Sequence, residues 1–355
     1  MNKKYPCIEI DLAKITYNSK KILSYCSEVG INLTAVTKVF CGKGPVVEAI
    51  LKGGITSIGD SRIENLKKLK DFPCEKILLR IPMLNEVEEV VSYSDITLDS
   101  ELRTIEEISK VAGEHGVVKK VVLMVDLGDL REGVPPEEAI NTIDKILKLK
   151  NVQLVGLGTN LTCYGGVIPD QENLGMLVRL KDKVKYLYSI DLPIISGGNS
   201  SSLHLLFKGK IPRGINHLRI GEAIALGRET AYGEEIEGLY TDASILKAQI
   251  IEVKDKKSVP VGTLGKDAFG KVPKFVDRGV RKRAILAVGK QDVVPEGLRP
   301  LDPKIIVIGA SSDHLILDIT DSDSSYKVGD VIEFTMNYGC LLAAMTSEYV
   351  EKCYV

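Results

Sequence analysis

Leu192-Pro-Ile-Ile-Ser-Gly-Gly-Asn-Ser-Ser-Ser-Leu-His-Leu-Leu-Phe207 compresses a strand, a turn and a helix start into sixteen residues. Leu192–Ile195 is a short β-branched apolar run, Ser196-Gly-Gly-Asn-Ser supplies turn chemistry, and Ser201–Phe207 has helical spacing. The same order recurs through the first two-thirds of the chain. Apolar runs stand at Leu33–Thr37, Ser57–Gly59, Ile77–Ile81, Ile96–Leu98, Val121–Val125, Val152–Leu157, Leu192–Ile195 and His217–Ile220. Between them lie amphipathic stretches such as Pro45–Lys52, Arg62–Lys70, Glu101–His115, Pro136–Leu149 and Gln171–Tyr186. Repeated strand–helix units favour a parallel sheet. A closed (β/α)8 TIM barrel of about 250 residues fits this region. A doubly wound open sheet is the rival, and periodicity alone does not exclude it.

Around Tyr232–Gly238 the pattern changes. Short strands then follow one another at Ile245–Val253, Arg283–Val288, Lys304–Ile308, Leu315–Ile319 and Val331–Met336, punctuated by glycines. This predicts an α/β barrel domain over residues 1–233 and an all-β domain over 234–355. Cys7–Leu12 alternates like a strand that pairs with the second domain. The length, 355 residues, suits two domains. With 47 basic and 48 acidic residues the net charge is −1, which points to neither nucleic acid nor an anionic membrane surface. No apolar run spans a bilayer and no signal peptide is evident. The seven cysteines are scattered and never form C-x-x-C pairs, so a reduced, cytoplasmic protein without a metal site is expected.

In a parallel barrel the chemistry gathers at the C-terminal ends of the strands. The first run ends in Thr34-Ala-Val-Thr-Lys38. An amine partly withdrawn from water there suits Schiff-base chemistry with a carbonyl. On position alone, a lysine whose stem snorkels out of the barrel mouth fits equally well. The seventh and eighth runs end in Asn199-Ser-Ser201 and in Arg219-Ile-Gly-Glu222. Small residues there free N–H groups and hydroxyls for an anion, and barrels often bind phosphate after strands seven and eight. Taken with Lys38, this suggests pyridoxal 5'-phosphate (PLP), its aldehyde on Lys38 and its phosphate on the Asn199–Ser201 and Gly221–Glu222 loops. Arg219 against the pyridine nitrogen would keep that nitrogen unprotonated, because a guanidinium holds its proton. An arginine paired to a neighbouring carboxylate is the plainer alternative.

At these residues the sequence resembles the alanine racemase family, in which a PLP-bearing barrel precedes a β domain. Ile8-Glu-Ile-Asp-Leu-Ala-Lys-Ile-Thr-Tyr-Asn18 resembles the family's opening, and Ala35-Val-Thr-Lys38 stands at its PLP lysine. Ile96-Thr-Leu and Val125-Asp-Leu-Gly with Arg131 follow in order, and Lys327-Val-Gly-Asp330 and Asn337-Tyr338 come near the end. The resemblance implies that Arg131 meets the phenolic oxygen, Arg219 the pyridine nitrogen, and Asn199, Ser200 and Tyr338 the phosphate. It also implies an amino-acid substrate and a homodimer.

Several positions depart from the family. Cys41-Gly-Lys-Gly44 lacks the phosphate-binding tyrosine, Met124 stands at a modified lysine that props up the arginine, and Asn160 replaces a histidine near the ring. Ser258-Val-Pro-Val-Gly262 lacks the tyrosine that carries the second proton in the family. These departures place the chain nearest the ornithine-racemase-like group. The expected activity is racemisation of ornithine, with alanine, serine or lysine as alternatives. Asp267, Asp313 and His314 are the candidates for the second acid/base. Asp267, Asp292, Glu296 and Asp313 are the carboxylates expected to meet a substrate's side-chain ammonium. The rivals are a non-catalytic PLP homeostasis protein, against which the β domain speaks, and a decarboxylase or metal-dependent aldolase on the same scaffold.

Overall fold

The structure is a computed structural model that describes residues 4–270 and 272–355. The chain packs as two units. One comprises Leu12–Thr241; the other joins the residues up to Asp11 to Asp242–Val355. The division falls after Thr241 rather than after residue 233. Residues 234–241 stay with the barrel because Tyr240 N donates to Asn18 Oδ1 (2.9 Å) and Ile236 N to Gly227 O (2.8 Å).

The chain opens with strand β1 (Cys7–Ile10) and helix α1 (Leu12–Ser27). Eight parallel strands then close into a barrel: β2 (Asn32–Val36), β3 (Ser57–Asp60), β4 (Glu75–Leu78), β5 (Ile96–Asp99), β6 (Lys119–Met124), β7 (Val152–Gly158), β8 (Ile194–Ser196) and β9 (His217–Ile220). Closure comes from β9 beside β2, with Asn32 opposite His217 and Ala35 opposite Ile220. The open sheet is thereby excluded. The helices between strands are α2 (Gly44–Lys52), α3 (Ile63–Lys68), α4 (Val87–Tyr93), α5 (Leu102–Glu114), α6 (Ala139–Ile146), α7 (Gln171–Tyr188), α8 (Leu203–Phe207) and α9 (Glu222–Leu226).

Strand alternation explains the barrel's two faces. Val121, Leu123, Leu154 and Leu157 face outward and pack with Ile105, Ile143 and Leu177 of the helices. Ile77, Ile96, Leu98, Val122, Met124 and Val155 fill the interior on the β4–β7 side. The β2, β3, β8 and β9 side is polar instead. There Thr34 Oγ1 lies 2.9 Å from Ser57 Oγ and 2.8 Å from His217 Nε2, and His217 Nδ1 lies 2.8 Å from Ser196 Oγ. An interior divided in this way directs one side of the barrel toward packing and the other toward chemistry.

The second unit contains β10 (Ser244–Lys257), β11 (Val280–Leu286), β12 (Leu298–Pro300), β13 (Ile306–Ala310), β14 (Leu315–Asp318), β15 (Val331–Met336), helix α10 (Tyr338–Thr346) and β16 (Glu351–Tyr354). The sheet order is β12-β15-β10-β11-β14-β13. β1 joins it antiparallel to β10 and parallel to β16. β10 shifts register between Ile250 and Glu252, where a bulge bends the strand. Phe334, Leu246, Ala248, Leu286 and Leu317 are buried there.

Candidate functional site

Lys38 stands two residues after the end of β2 and opens a 3-10 turn, Lys38–Phe40. It is half-buried. Burial raises the pKa of Asp60 and Glu222, and in each the Lys38 charge pulls it back down. The lysine therefore acts on groups from the ends of two different strands, β3 and β9. Cys41 (φ 52°) and Gly42 (φ 60°) turn the chain left-handed after the lysine. A Cβ on Gly42 would stand 2.9 Å from the Asn65 Cβ.

Arg219 projects inward from β9 and is 3% exposed. It donates to Ser196 Oγ, to Thr159 O (2.7 Å) and to Asn160 Oδ1 (2.7 Å). No carboxylate touches it among these contacts, so the expectation of a simple ion pair gives way to a set of neutral acceptors. Burial lowers its pKa to about 10, leaving it protonated at neutral pH. Arg131, in the loop after β6, donates through Nη2 to Glu132 Oε1 (2.6 Å) and also contacts Glu132 through Nε. Asn160 Nδ2 donates to the same Glu132 Oε1 (2.8 Å). The sequence reading did not single out Glu132; a glutamate in a glycine-rich loop looks like any solvated turn residue.

The loops after β8 and β9 continue the rim from β7. Asn199 caps the 3-10 turn Ser200–Ser202 by accepting from Ser201 N (2.8 Å). Its Nδ2 donates to Leu161 O (3.0 Å), so the side chain secures the loop after β7. Ser200 Oγ accepts from Ala223 N (3.2 Å), joining the β8 and β9 ends. A Cβ on Gly221 would meet the Val36 Cβ at 3.0 Å, so glycine is what fits there. Glu222 opens α9; burial pushes its carboxyl up to about 7, against the charges of Arg228 and Lys38. Asp129, buried after β6, accepts from Cys163 N (3.1 Å), Tyr164 N (2.8 Å) and Val167 N (3.2 Å), a clamp that was not legible in the sequence.

The barrel end thus collects Lys38, Arg131, Asn160, Asn199, Ser200, Ser201, Arg219, Gly221 and Glu222. An amine, two guanidiniums and two small-residue turns fit a phosphorylated carbonyl compound such as PLP. Thr159 Oγ1, buried beside Asn160, has no hydrogen-bond partner among the described residues.

The remaining candidates belong to the β unit. Tyr338 is the first residue of α10 and half-buried. Asp267 Oδ1 accepts from Phe269 N (2.9 Å) in a turn. Asp313 and His314 form an exposed pair (2.8 Å). Asp292 corrects an expectation. It is 3% exposed and accepts from Ser347 Oγ (2.7 Å) and Gly289 N (3.3 Å), so it is a structural carboxylate rather than one open to a substrate ammonium.

The alanine racemase N-terminal domain family matches residues 10–229. The chain belongs to the alanine racemase family. The serine dehydratase domain family matches residues 269–351 of this family member. An ornithine racemase of Acetoanaerobium sticklandii is 50% identical over 98% of this chain and 99% of its own length. A lysine racemase of Thermotoga maritima is 43% identical over 99% and 98%. In fold, this racemase-family chain is similar to the alanine racemase of Bartonella henselae solved with covalently bound pyridoxal phosphate (TM-score 0.75, 17% identity, 99% of this chain and 100% of that one).

Proposed function

We propose that this racemase-family chain acts on ornithine. The chain is a PLP-dependent amino-acid racemase. The observation that carries the substrate is the gradient of likeness: 50% identity with an ornithine racemase and 43% with a lysine racemase, both over nearly the full length, against 24% with an alanine racemase of Halothermothrix orenii. PLP, when bound, withdraws electrons and so acidifies the substrate Cα–H. Lys38 would hold it and move the Cα proton on one face. Ser200, Ser201 and the turn at Gly221–Glu222 would hold the phosphate, with Asn199 keeping that turn in shape. Tyr338 would add a phosphate contact. Arg131 and Asn160 would flank the ring, and Arg219 would face the pyridine nitrogen. A guanidinium retains its proton there, so the nitrogen receives none and the electron sink stays moderate.

A second proton-transfer group must serve the other face of Cα. Asp267, Asp313 and His314 are the proposed candidates, supplied across a homodimer by the partner subunit. Support for the dimer is the family resemblance and the two equivalent sites that two-fold symmetry would create. A cytoplasmic location is also proposed. It is supported by the free cysteines and by the lack, among the described residues, of a helix long and apolar enough to cross a membrane. The test is the initial racemisation rate on ornithine, lysine, alanine and serine. Ornithine should be fastest and lysine next; faster turnover of alanine or serine overturns the substrate.

A further inference from the structure

We propose that Glu132 is a positioning residue that holds Arg131 directly and Arg219 through the Asn160 amide, so that the two guanidiniums of the site form one hydrogen-bonded string. The proposal rests on the reading of the barrel mouth as a PLP cradle.

The geometry runs without a break. Glu132 Oε1 accepts from Arg131 Nη2 at 2.6 Å and from Asn160 Nδ2 at 2.8 Å, and Asn160 Oδ1 accepts from Arg219 Nη2 at 2.7 Å. Chemistry settles which way the amide points. A guanidinium offers only donors and a carboxylate only acceptors, so the Asn160 carbonyl must face Arg219 and its NH2 must face Glu132. An aspartate at 160 would have no proton to give Glu132, and a leucine would sever the string.

The electrostatics give the string a purpose. Arg219 is buried, and its direct acceptors, Ser196 Oγ, Thr159 O and Asn160 Oδ1, are all neutral. A buried cation without a counter-charge is costly. Glu132 supplies a negative charge one amide away; that charge opposes the loss of the Arg219 proton that burial favours, while the Arg131 charge works the other way. Two guanidiniums and one carboxylate leave the string one positive charge in excess, which suits an anionic cofactor.

The loop backbone is built to keep Glu132 in place. Asp126 N donates to Val134 O (3.0 Å) and Val134 N to Met124 O (2.9 Å), closing the loop at its base. Gly133, next to Glu132, has φ +142°, and a Cβ there would lie 2.3 Å from Asp126 N. Asp126 Oδ1 accepts from Gly128 N (2.9 Å) and Leu130 N (3.2 Å). Glu132 is therefore presented by a tied loop, while Arg131, an exposed long side chain, takes its orientation from Glu132.

The test uses the full-length protein loaded with PLP. Glu132→Gln should raise the PLP dissociation constant roughly tenfold or more and move the pH midpoint of the bound cofactor's visible absorption band. Glu132→Asp should restore part of both. Asn160→Ala should shift the same band, and the double variant should change it by less than the sum of the single changes, as expected of one connected string. Thermal unfolding of each cofactor-free variant separates a folding defect from a positioning one. Where a variant does not fold, NMR of the wild-type arginine Nε–H groups asks the same question. A slowly exchanging Arg131 Nε–H is expected, and a freely exchanging one overturns the proposal. A loaded wild type alongside Glu132→Gln with unchanged affinity and band, or strictly additive changes, overturns the proposal alone. A wild type that takes up no PLP overturns the reading of the site, and the proposal with it.

Discussion

His217 Nδ1 lies 2.8 Å from Ser196 Oγ, the hydroxyl to which Arg219 also donates. His217 Nε2 lies 2.8 Å from Thr34 Oγ1 on its other side. Both ring nitrogens are thus taken by hydroxyls, which can donate or accept as the imidazole requires. Burial, and then the Arg219 charge, lower the His217 pKa to about 3, so the ring beneath the guanidinium is neutral at working pH.

This neutrality has a stability consequence. Below its ordinary pKa of 6.5 the unfolded histidine binds a proton that the folded one refuses, so stability is lost as pH falls from about 6.5 toward 3. Relative to His217→Gln, the wild type should lose about 2 kcal/mol between pH 7 and pH 5. Urea unfolding of the pair at both pH values measures it; parallel pH dependences would place a charged histidine in the fold.

Asp99 works in the opposite direction. It is fully buried at the end of β5, accepts from Glu101 N at 2.9 Å, and has one carboxylate oxygen with no hydrogen-bond partner among the described residues. Burial pushes its carboxyl up to about 7. Between its ordinary range and 7 the folded state holds the extra proton, so this contribution fades as pH rises through that window. Asp99→Asn should be more stable than the wild type at pH 8 by about 4 kcal/mol, with little difference near pH 4. Equal stability at pH 8 would show that water or a partner satisfies the carboxylate.

The Asp129 clamp makes a separate claim about the loop after β7. Three backbone N–H groups between Cys163 and Val167 end on this one carboxylate. Asp129→Ala should lower stability by about 2–4 kcal/mol and speed amide hydrogen exchange across residues 163–167. The helices on the far side of the barrel should be unaffected. Unchanged protection in that segment would mean the loop holds itself.

Lys38 carries the most direct chemical test. Borohydride treatment of the PLP-loaded protein should fix the pyridoxyl group to Lys38, read by peptide mass spectrometry. Lys38→Ala should bind no reducible cofactor. An adduct on a different lysine moves the site elsewhere.

The barrel was legible in the sequence because most strand runs keep an apolar face toward the helices, and those of the β4–β7 side are apolar on the inner face as well. All eight observed barrel strands coincide with or overlap the runs read from the residues. Lys38, Arg219 and the small residues at Asn199–Ser201 and Gly221 stood out because strand ends in such a barrel are where charge and flexibility need a reason. Four helices, α1, α4, α9 and α10, did not stand out. The buried face of α1 carries Asn18 and Ser19 among its apolar residues, which breaks the apolar period. α4, α9 and α10 are each under ten residues, too short for a helical period to show against their surroundings.

What the amino-acid order determined by itself is therefore local: where strands begin, where helices follow, and which end of each strand carries polar groups. Only closure of the barrel decided how those groups combine. Glu132, Asn160 and Arg219 lie in loops and strands separated by 28 and 59 residues, and their contact exists because the closed parallel barrel brings the ends of β6, β7 and β9 to one mouth. Likewise the neutrality of His217 and the raised carboxyl of Asp99 are products of burial. The free energy of a charge depends on what surrounds it, and those surroundings exist only in the folded chain.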